Sequence, residues 1–517
     1  MDVNEAFDST AKVLFGEGIG DLKSFEGYLK EMMMPYMRKK SFISGKEVTI
    51  SNILYPEDAK FISQDEMGGL KFPPLNVNEI KDIDSLFRAV EERTVYCGNK
   101  VFGKNYEVKD VDNCVNSSGI LYSHNVHNVK HGAYLSYVRE AECVFGLGPF
   151  PHVKFSMRSC EGIDATRCFE TYYTSKTSDS YYTFNCIGCQ NIMFSFNQRS
   201  KRNVIGNLEL PPDRFEKLKR KLLSEMADEL KRKKRLFSIA DIAFYGRDKA
   251  DILAEQVAYD SPVPKKVEDA FRATTKLVLG QEHKDIKKFG PWLSKRIIGV
   301  KKVKGAFGNP TFKQIGLPVI REIPADRLVT LKEGEKCGEM KMELREGEGL
   351  AIADILQRVS KFAYFTVEFV DGQNQNCVDT PAVFAGSDVY KIWDTTKSKN
   401  SAYSSGVIQS EFVFGGYLRI LDSQFCINSY DSTNVKRSFE TDGVFFSQGA
   451  YLCHNCENID EGILCFNAKN LRYAVGNCEL KKPEYDRIKK MLLDYLNGEL
   501  GKTNEINASI FSIPKGT

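Results

Sequence analysis

The pattern of apolar and polar positions changes along the chain. Residues 3–40 have a helical pattern, and within them apolar residues from Ile19 to Met33 recur at steps of three and four, which predicts the buried face of a helix. The stretch from Ser41 to about Ile80 is mixed, and residues 82–93 return to a helical pattern. From about Val108, short runs of Val, Ile, Phe, Tyr and Cys alternate with Asn, Ser and Gly. This alternation predicts short β-strands at even spacing.

Two amphipathic helices are predicted, each after a strand-rich stretch. The first starts at Pro211–Asp213 and the second has Pro483 in its first turn, both of which favour a helix N-terminus. Each helix carries one apolar stripe, which predicts that it covers the open end of the strands before it. The stripe residues are Phe215, Leu218, Leu222 and Met226 in the first helix, and Tyr485, Ile488, Leu492 and Leu496 in the second.

A repeat runs through the sequence. Ser159–Met226 matches Ser429–Leu496 without a gap, and both copies contain Phe-Glu-Thr, at Phe169 and at Phe439. The beginning of the chain is also similar, more weakly, to the region that starts at Val267. A repeat on this scale predicts a tandem duplication that covers the whole chain.

These patterns predict an α+β fold built by tandem duplication. Each unit would have a helical or mixed N-terminal part and a short β-solenoid that is closed by a C-terminal amphipathic helix. Asparagine suits the corners of such a solenoid because it tolerates the left-handed conformation. A β-sandwich with Asn-rich turns is the alternative. The predicted parts are a mixed domain at 1–107, a solenoid with its helix at 108–235, a linker at 236–266, a second mixed domain at 267–370, a second solenoid with its helix at 371–500, and a tail at 501–517.

Composition narrows the class of protein. The chain is 42% apolar and 27% charged, as in ordinary globular proteins, and its net charge of +3 is too small for a general nucleic-acid coat. Binding of nucleic acid would require the local basic patches Lys231–Arg235 and Lys301–Lys304. The first patch equally suits a solvated helix end. Without a signal-peptide pattern or a long apolar run, we expect a soluble cytoplasmic or intracellular protein with no membrane partner.

Paired cysteines are the first candidates for chemistry. The chain has 14 cysteines, which we expect to be free thiols. Cys186 with Cys189, and Cys453 with Cys456, each have half of a zinc-site spacing. However, the repeat aligns Cys186 with Cys456 and leaves the other two without matching cysteines. We therefore expect these side chains to pack as small interior hydrophobes without a metal.

Histidines and carboxylates give no stronger signal. His124, His127 and His131 could converge on a helix, but the surrounding pattern is not helical, so we predict a surface cluster.

The pairs Glu170 with Arg167 and Glu440 with Arg437 occur in both copies of the repeat. Such pairs are more often surface ion pairs than catalytic groups. No known phosphate-loop or nucleophile motif is present. We therefore predict no catalytic, cofactor-binding or metal-binding residue and no small-molecule substrate.

The phrases that close each copy resemble those of a known family. They are Cys186–Cys189, Asn197–Ser200 and Val204–Asn207 in the first copy, and Asn467–Tyr473 and Ala474–Asn477 in the second. They are similar to an uncharacterised family of Asn/Cys/Tyr-rich, β-solenoid-like repeat proteins from uncultivated bacteria, archaea and phages. The resemblance implies the architecture and a link to phages, but no established activity. Zinc ribbons in many relatives cannot be carried over, because only Cys97 precedes Cys114 here.

Two functions fit the sequence. The first is a non-enzymatic structural or assembly protein that presents rigid β-solenoid surfaces to partner subunits or to further copies of itself. The phage link favours a component of a virus-like or other large particle, and thus a place within a virion. The alternative is a carbohydrate-binding or polysaccharide-acting β-helix protein, so catalysis stays open, although a non-enzymatic role is favoured. A groove lined with aromatic and acidic residues would favour sugar, and a flat or apolar face would favour assembly.

Overall fold

The computed structural model describes residues 2–248, 254–297, 299–384, 386–396, 398–405, 407–408, 411–416, 424–427 and 436–513. Its α-helices are α1 Val3–Phe15, α2 Glu26–Lys30, α3 Ile83–Glu91, α4 Pro212–Lys233, α5 Ile239–Ala243, α6 Lys265–Leu279, α7 Ile286–Leu293, α8 Leu331–Cys337, α9 Ile352–Val359 and α10 Lys482–Thr503. The strands up to α4 are β1 Met37–Lys40, β2 Glu47–Ile50, β3 Lys60–Ser63, β4 Val95–Gly98, β5 Val101–Phe102, β6 Tyr106–Val115, β7 Ser118–His127, β8 Lys130–Arg139, β9 Glu142–Leu147, β10 Phe150–Pro151, β11 Lys154–Met157, β12 Cys160–Ile163, β13 Thr166–Ser175, β14 Ser178–Ile187, β15 Gln190–Phe196, β16 Arg202–Ile205 and β17 Leu208–Glu209. The later strands are β18 Val300–Lys304, β19 Pro310–Gln314, β20 Phe369–Asp371, β21 Gln375–Val378, β22 Ala382–Phe384, β23 Ser387–Tyr390, β24 Asp394–Thr396, β25 Val407–Ile408, β26 Phe412–Phe414, β27 Phe425–Ile427, β28 Ser438–Phe445, β29 Gln448–Ile463, β30 Lys469–Val475 and β31 Cys478–Glu479.

The chain forms two compact units, and each is assembled from three separate segments. The first unit contains Met1–Pro35, Val101–Tyr259 and Val300–Phe369. The segments of the second unit are Tyr36–Lys100, Asp260–Gly299 and Val370–Thr517. The domain boundaries predicted from the sequence follow chain order, whereas the units do not, and those boundaries stay a prediction.

A sheet of 13 strands dominates the first unit, and 12 of them are parallel. Its order is β17-β16-β15-β14-β13-β11-β9-β8-β7-β6-β5, with β10 beside β8 and β12 beside β13. From β6 to β16 each strand pairs with its neighbour in this order at an offset of 12 residues. Lys154 thus pairs with Thr166, and Thr166 pairs with Ser178. Strand β17 turns back antiparallel to β16 and ends the sheet.

Left-handed residues bend these strands at regular intervals. Glu107, Asp110 and Asn113 in β6 have φ of 52°, 52° and 54°, and the pattern continues at third positions through the sheet. Many such positions hold Asn, Asp or Gly, the residues that visit this conformation most readily. Asparagines also bond across neighbouring strands, since Asn191 Nδ2 donates to Asn203 Oδ1 at 3.2 Å. The backbone therefore changes direction without ending the strand.

The fold class predicted from the sequence is wrong. The described residues form a mixed α/β protein whose large parallel sheet stays open, and neither a β-solenoid nor a tandem duplication is shown. Short apolar runs between polar residues predict separate short strands, but left-handed residues join these runs into continuous strands of up to 16 residues. The β-sandwich alternative requires antiparallel pairing, and these strands are mainly parallel. The repeated sequence also does not mark out a unit, because each compact unit draws on both halves of the chain.

Helix α1 packs on the sheet of the first unit. The rings of Phe7 and Phe145 lie 5.1 Å apart, and the Tyr181 hydroxyl donates to the Leu14 carbonyl at 2.7 Å. At its N-terminus, Asp2 and Glu5 form a capping box that satisfies two backbone N–H groups. These contacts fix α1 across the strands and form part of the core.

The end of this sheet is covered from two directions. Helix α4 buries its predicted stripe, so the prediction for Phe215, Leu218, Leu222 and Met226 is confirmed. The segment after α8 bonds to the last strands, because Met342 N–H donates to Gly206 O at 2.9 Å. Gly206 has φ of +58°, and a Cβ there would come within 2.7 Å of the Met342 sulfur. Glycine therefore allows the segment to lie close to the sheet.

The second unit also combines parallel strands with helices. Strands β26 to β30 pair in parallel and β31 returns antiparallel. Helix α6 packs on them, with the rings of Phe271 and Phe414 5.4 Å apart. Helix α3 confirms the helical pattern at 82–93. Helix α10 buries the whole predicted stripe: Tyr485, Ile488, Leu492 and Leu496.

Some predicted parts cannot be compared with the structure. The residues outside the described ranges include 249–253 of the predicted linker, 298 of the second predicted mixed domain, 514–517 of the tail and, in the second predicted solenoid, 385, 397, 406, 409–410, 417–423 and 428–435. Within the part that is described, α4 and α10 are 22 residues long, and no helix is both long and apolar enough to cross a membrane.

The covering role of α4 can be tested with Leu222→Asp. A charge in the buried stripe should destabilise the protein by more than about 3 kcal/mol and expose the strands below, which then associate edge to edge. Light scattering and thermal melting would measure both effects. The control is Lys217→Asp, on the exposed side of the same helix. Equal size and melting temperature for both variants would contradict the covering role.

Candidate functional site

The two cysteine pairs lie in the hydrophobic cores behind the strands. Cys186, Cys189, Cys453 and Cys456 are all buried. Burial raises the pKa of the Cys186 thiol, which donates to the Phe184 carbonyl at 3.5 Å. Among the described residues, no group of three or more His, Cys, Asp or Glu side chains is placed to hold a metal ion. These pairs therefore have the surroundings of packed thiols.

The three histidines do not form a surface cluster. His124 is buried, whereas His127 and His131 are half-buried. His124 Nε2 lies 3.1 Å from Met34 O, which can only accept, so Nε2 carries the proton. Burial lowers the pKa of His124 to about 4. His124 is therefore a neutral structural donor.

The carboxylates pair with arginines other than those predicted. Glu170 bonds to Arg158 at 2.5 Å, while Arg167 makes two bonds to Asp179. In the second unit, Glu440 pairs with Arg296 at 3.1 Å. In the first unit the reason is the register, because residues 12 apart are neighbours across parallel strands. Opposite charges 12 positions apart were the sequence signal for Arg158 with Glu170 and for Arg167 with Asp179.

Arg158 and Glu170 form a fully buried cluster, each with 0% exposure of its side chain. Besides Arg158, Glu170 accepts from the Tyr172 hydroxyl and from Ile239 N–H, both at 2.9 Å. Burial raises the pKa of the Glu170 carboxyl, and the Arg158 guanidinium opposes this. All three neighbours are donors, which suits the ionised carboxylate. The cluster holds the start of α5 against β13 and is a structural link.

Exposed charges form rows across the strands of the first unit. In one row Glu142 lies 3.6 Å from both Lys130 and Lys154. We call this surface the ladder face, and it consists of Lys130, Glu140, Glu142, His152, Lys154 and Asp164.

The second row of the ladder face contains a histidine between two acids. His152 Nε2 lies 3.1 Å from Glu140, and His152 Nδ1 lies 3.1 Å from Asp164. These side chains are half or more exposed. The parallel register places successive members of each row about 4.8 Å apart. The ladder face is therefore a regular array in which one row alternates in charge and the other places a histidine between two carboxylates.

Similar rows occur in the second unit. Lys469 pairs with Glu457 at 2.6 Å, and Arg472 pairs with Asp460 at 3.0 Å. Phe446 is 69% exposed on the preceding strand bend.

The two basic patches are partly neutralised. At the end of α4, Lys231 pairs with Glu17 at 2.5 Å and Lys233 pairs with Glu229 at 2.6 Å. The patch Lys301–Lys304 lies on β18, where Lys304 pairs with Glu255 at 3.3 Å. These contacts fit a solvated helix end for Lys231–Arg235 better than a nucleic-acid site.

The buried cluster can be tested with Glu170→Gln. This change keeps the shape of the side chain but removes the buried partner of Arg158, which is then left with only the half-exposed Glu31 at 3.1 Å. The loss should cost about 3 kcal/mol in unfolding free energy. Arg167→Gln, which breaks a half-exposed pair, should cost about 1 kcal/mol or less. Chemical denaturation measures both. Comparable losses for the two variants would contradict a dominant role for the buried pair.

The buried His124 predicts a pH dependence of stability. Its folded pKa lies below the ordinary value of 6.5, so the unfolded chain binds the proton first as the pH falls. Its contribution is complete above about pH 6.5 and is lost towards pH 4. Between pH 7.5 and pH 5, the wild type should lose about 2 kcal/mol more than His124→Gln, measured by urea unfolding. Parallel pH profiles would be evidence against this assignment. The neighbouring Asp112 favours the charged form but does not outweigh burial.

Comparison with known proteins leaves the family open. No protein-family model matches the chain, and neither a curated protein nor a solved structure matches it significantly. The resemblance to the uncharacterised repeat family therefore stays a prediction from the sequence.

Proposed function

We propose that this chain is a non-enzymatic structural or assembly protein that binds partner protein subunits, or further copies of itself, through the ladder face. The observation that carries the proposal is the pair of ordered rows of ionisable side chains on that face, at a spacing that the strand register fixes. A virus-like or phage-like particle, or another large complex, is the proposed setting.

The ladder face is firmly supported from behind. Ala141 and Val153 lie between members of the two rows in sequence, Val129 directly precedes Lys130, and all three are buried in the core of the sheet. Because the charged side chains are already ordered in pairs, a partner would not have to order them on binding. Complementary charge across an interface mainly gives specificity and faster association. A rigid array of this kind suits a partner with a repeated surface.

The buried carboxylates support a role without catalysis. Glu170 is enclosed by Arg158, Tyr172 and the backbone of α5, and Glu440 by Arg296 and the N–H of Ile510. Carboxylates that are saturated by internal donors are committed to holding the fold. An intracellular site of action is also proposed, since all 14 cysteines are free thiols.

Charge reversal on the ladder face tests the proposal. In Lys130→Glu/Lys154→Glu, Glu142 lies between two further carboxylates, so the alternation of charge is lost. Because exposed ion pairs contribute about 1 kcal/mol or less each, the protein should still fold. In native extracts, we expect the wild type to migrate with a large particle and the variant to migrate at the mass of the free chain. Size-exclusion chromatography and melting curves provide the two readouts.

The matched control is Lys265→Glu/Lys490→Glu, which reverses two exposed lysines that also have acidic partners. This control should stay with the particle. Loss of association in both variants would point to total charge rather than the ladder face. A wild-type monomer in the extract that binds an oligosaccharide specifically would overturn the proposal in favour of the carbohydrate function.

A further inference from the structure

A cleft of about 620 Å³ opens in the first unit beside the covered end of the large sheet. Its walls are the segment from Lys341 to Glu348 and the C-terminal end of α9 with the turn that follows. This volume is within the range of small-molecule sites. The lining residues are Lys341, Met342, Glu343, Arg345, Glu348, Arg358, Lys361 and Phe362.

The wall of the cleft is held in place by one ion pair. Glu348 accepts from both terminal nitrogens of Arg358 and, at 2.9 Å, from the backbone N–H of Arg345. Arg358 also donates to the Glu343 carbonyl at 2.7 Å. The hydrogen bonds from Arg358 lower the pKa of Glu348 to about 2, so this carboxylate stays ionised. Glu348 and Arg358 are therefore occupied with each other and with the loop.

The floor and base of the cleft are also fixed. Met342 is bonded through its backbone to Gly206, and Phe362 is buried. Helix α9 is attached at its start, because Ile352 N–H donates to Glu225 at 2.9 Å. The cleft is thus built on ordered elements and has two apolar side chains among its lining residues.

Three other basic side chains that line the cleft are not held in ion pairs of this kind. Lys341, Arg345 and Lys361 are exposed, and none of them makes an ion pair within 4 Å among the described residues. The lining has four basic and two acidic side chains, a net charge of +2. Like charges gathered around a cleft repel one another, and an anion would relieve this repulsion.

From this arrangement we infer that the cleft binds the polyphosphate group of a small ligand. Lys341, Arg345 and Lys361 contact the phosphate oxygens, because lysine and arginine are the preferred donors to phosphate. Phosphate carries more than one charge in a small volume, which suits several converging cations better than a carboxylate does. Met342 and Phe362 offer contact to an apolar part of the ligand, such as a base. This site is independent of the ladder face.

Binding can be measured with ATP and with inorganic triphosphate on the full chain, by titration calorimetry at low salt. Both probes should give saturable binding that weakens as ionic strength rises. Equal affinity would assign recognition to the polyphosphate alone, and tighter binding of ATP would add the contact with Met342 and Phe362. Either result supports the inference. The absence of saturable binding by both probes would overturn it.

Variants locate the site. Lys341→Ala/Lys361→Ala should weaken binding of both probes by about tenfold or more, since two charge-assisted contacts are lost. The control Lys23→Ala/Lys109→Ala removes two exposed lysines of the same unit that do not line the cleft, and it should bind as the wild type does. Equal weakening in both variants would overturn the location.

A gain of affinity excludes misfolding as an explanation. Glu343→Gln removes an exposed acidic side chain from the lining and leaves its backbone carbonyl bonded to Arg358. This variant should bind triphosphate about two- to fivefold more tightly at low salt, because one repulsive charge is gone. Unchanged or weaker binding would count against direct contact between the anion and this cleft.

Discussion

The structure depends on a backbone constraint, the left-handed residue that recurs at third positions along the long strands. Each such residue turns the chain, and the turns are compatible with parallel pairing only when neighbouring strands turn at the same level. The offset of 12 residues satisfies this condition from β6 to β16. Asparagine and glycine lower the cost of the conformation, and asparagine adds hydrogen bonds between strands. Side-chain packing then follows from a register that the backbone has fixed.

This register decides which charges meet. Arg158 reaches Glu170, Arg167 reaches Asp179 and Lys130 reaches Glu142, each across 12 positions. The role of each pair then depends on whether its side chains are buried or exposed. Arg158 and Glu170 lie where water is excluded and hold neighbouring elements together, whereas Lys130 and Glu142 lie in solvent and are available to a partner. The same geometric rule therefore yields both an internal link and the surface that we propose to bind a partner.

Local features were predictable from the sequence, and long-range organisation was not. The stripes of α4 and α10 and the helix at 82–93 follow from apolar periodicity, which reports directly on burial. The prediction of the fold class was wrong because polar residues at left-handed bends inside a long strand look, in the sequence, like the ends of short strands. Arg296 with Glu440 joins residues far apart in sequence, and no local pattern indicates such a contact. The cleft was not predicted either, because the loop around Glu348 and the end of α9 carry no known motif.

The discontinuous make-up of the units has a consequence for synthesis on the ribosome. The first unit needs Val300–Phe369 in addition to its earlier segments, and the second needs Tyr36–Lys100. When Tyr259 leaves the ribosome, the large sheet has been made but the segment that covers its last strands has not. At that point Tyr36–Lys100 has no partner strands to pack on, because the rest of the second unit has not yet been translated. The nascent chain thus carries two incomplete cores for much of its synthesis, and chaperones would have the longest access to it during that interval.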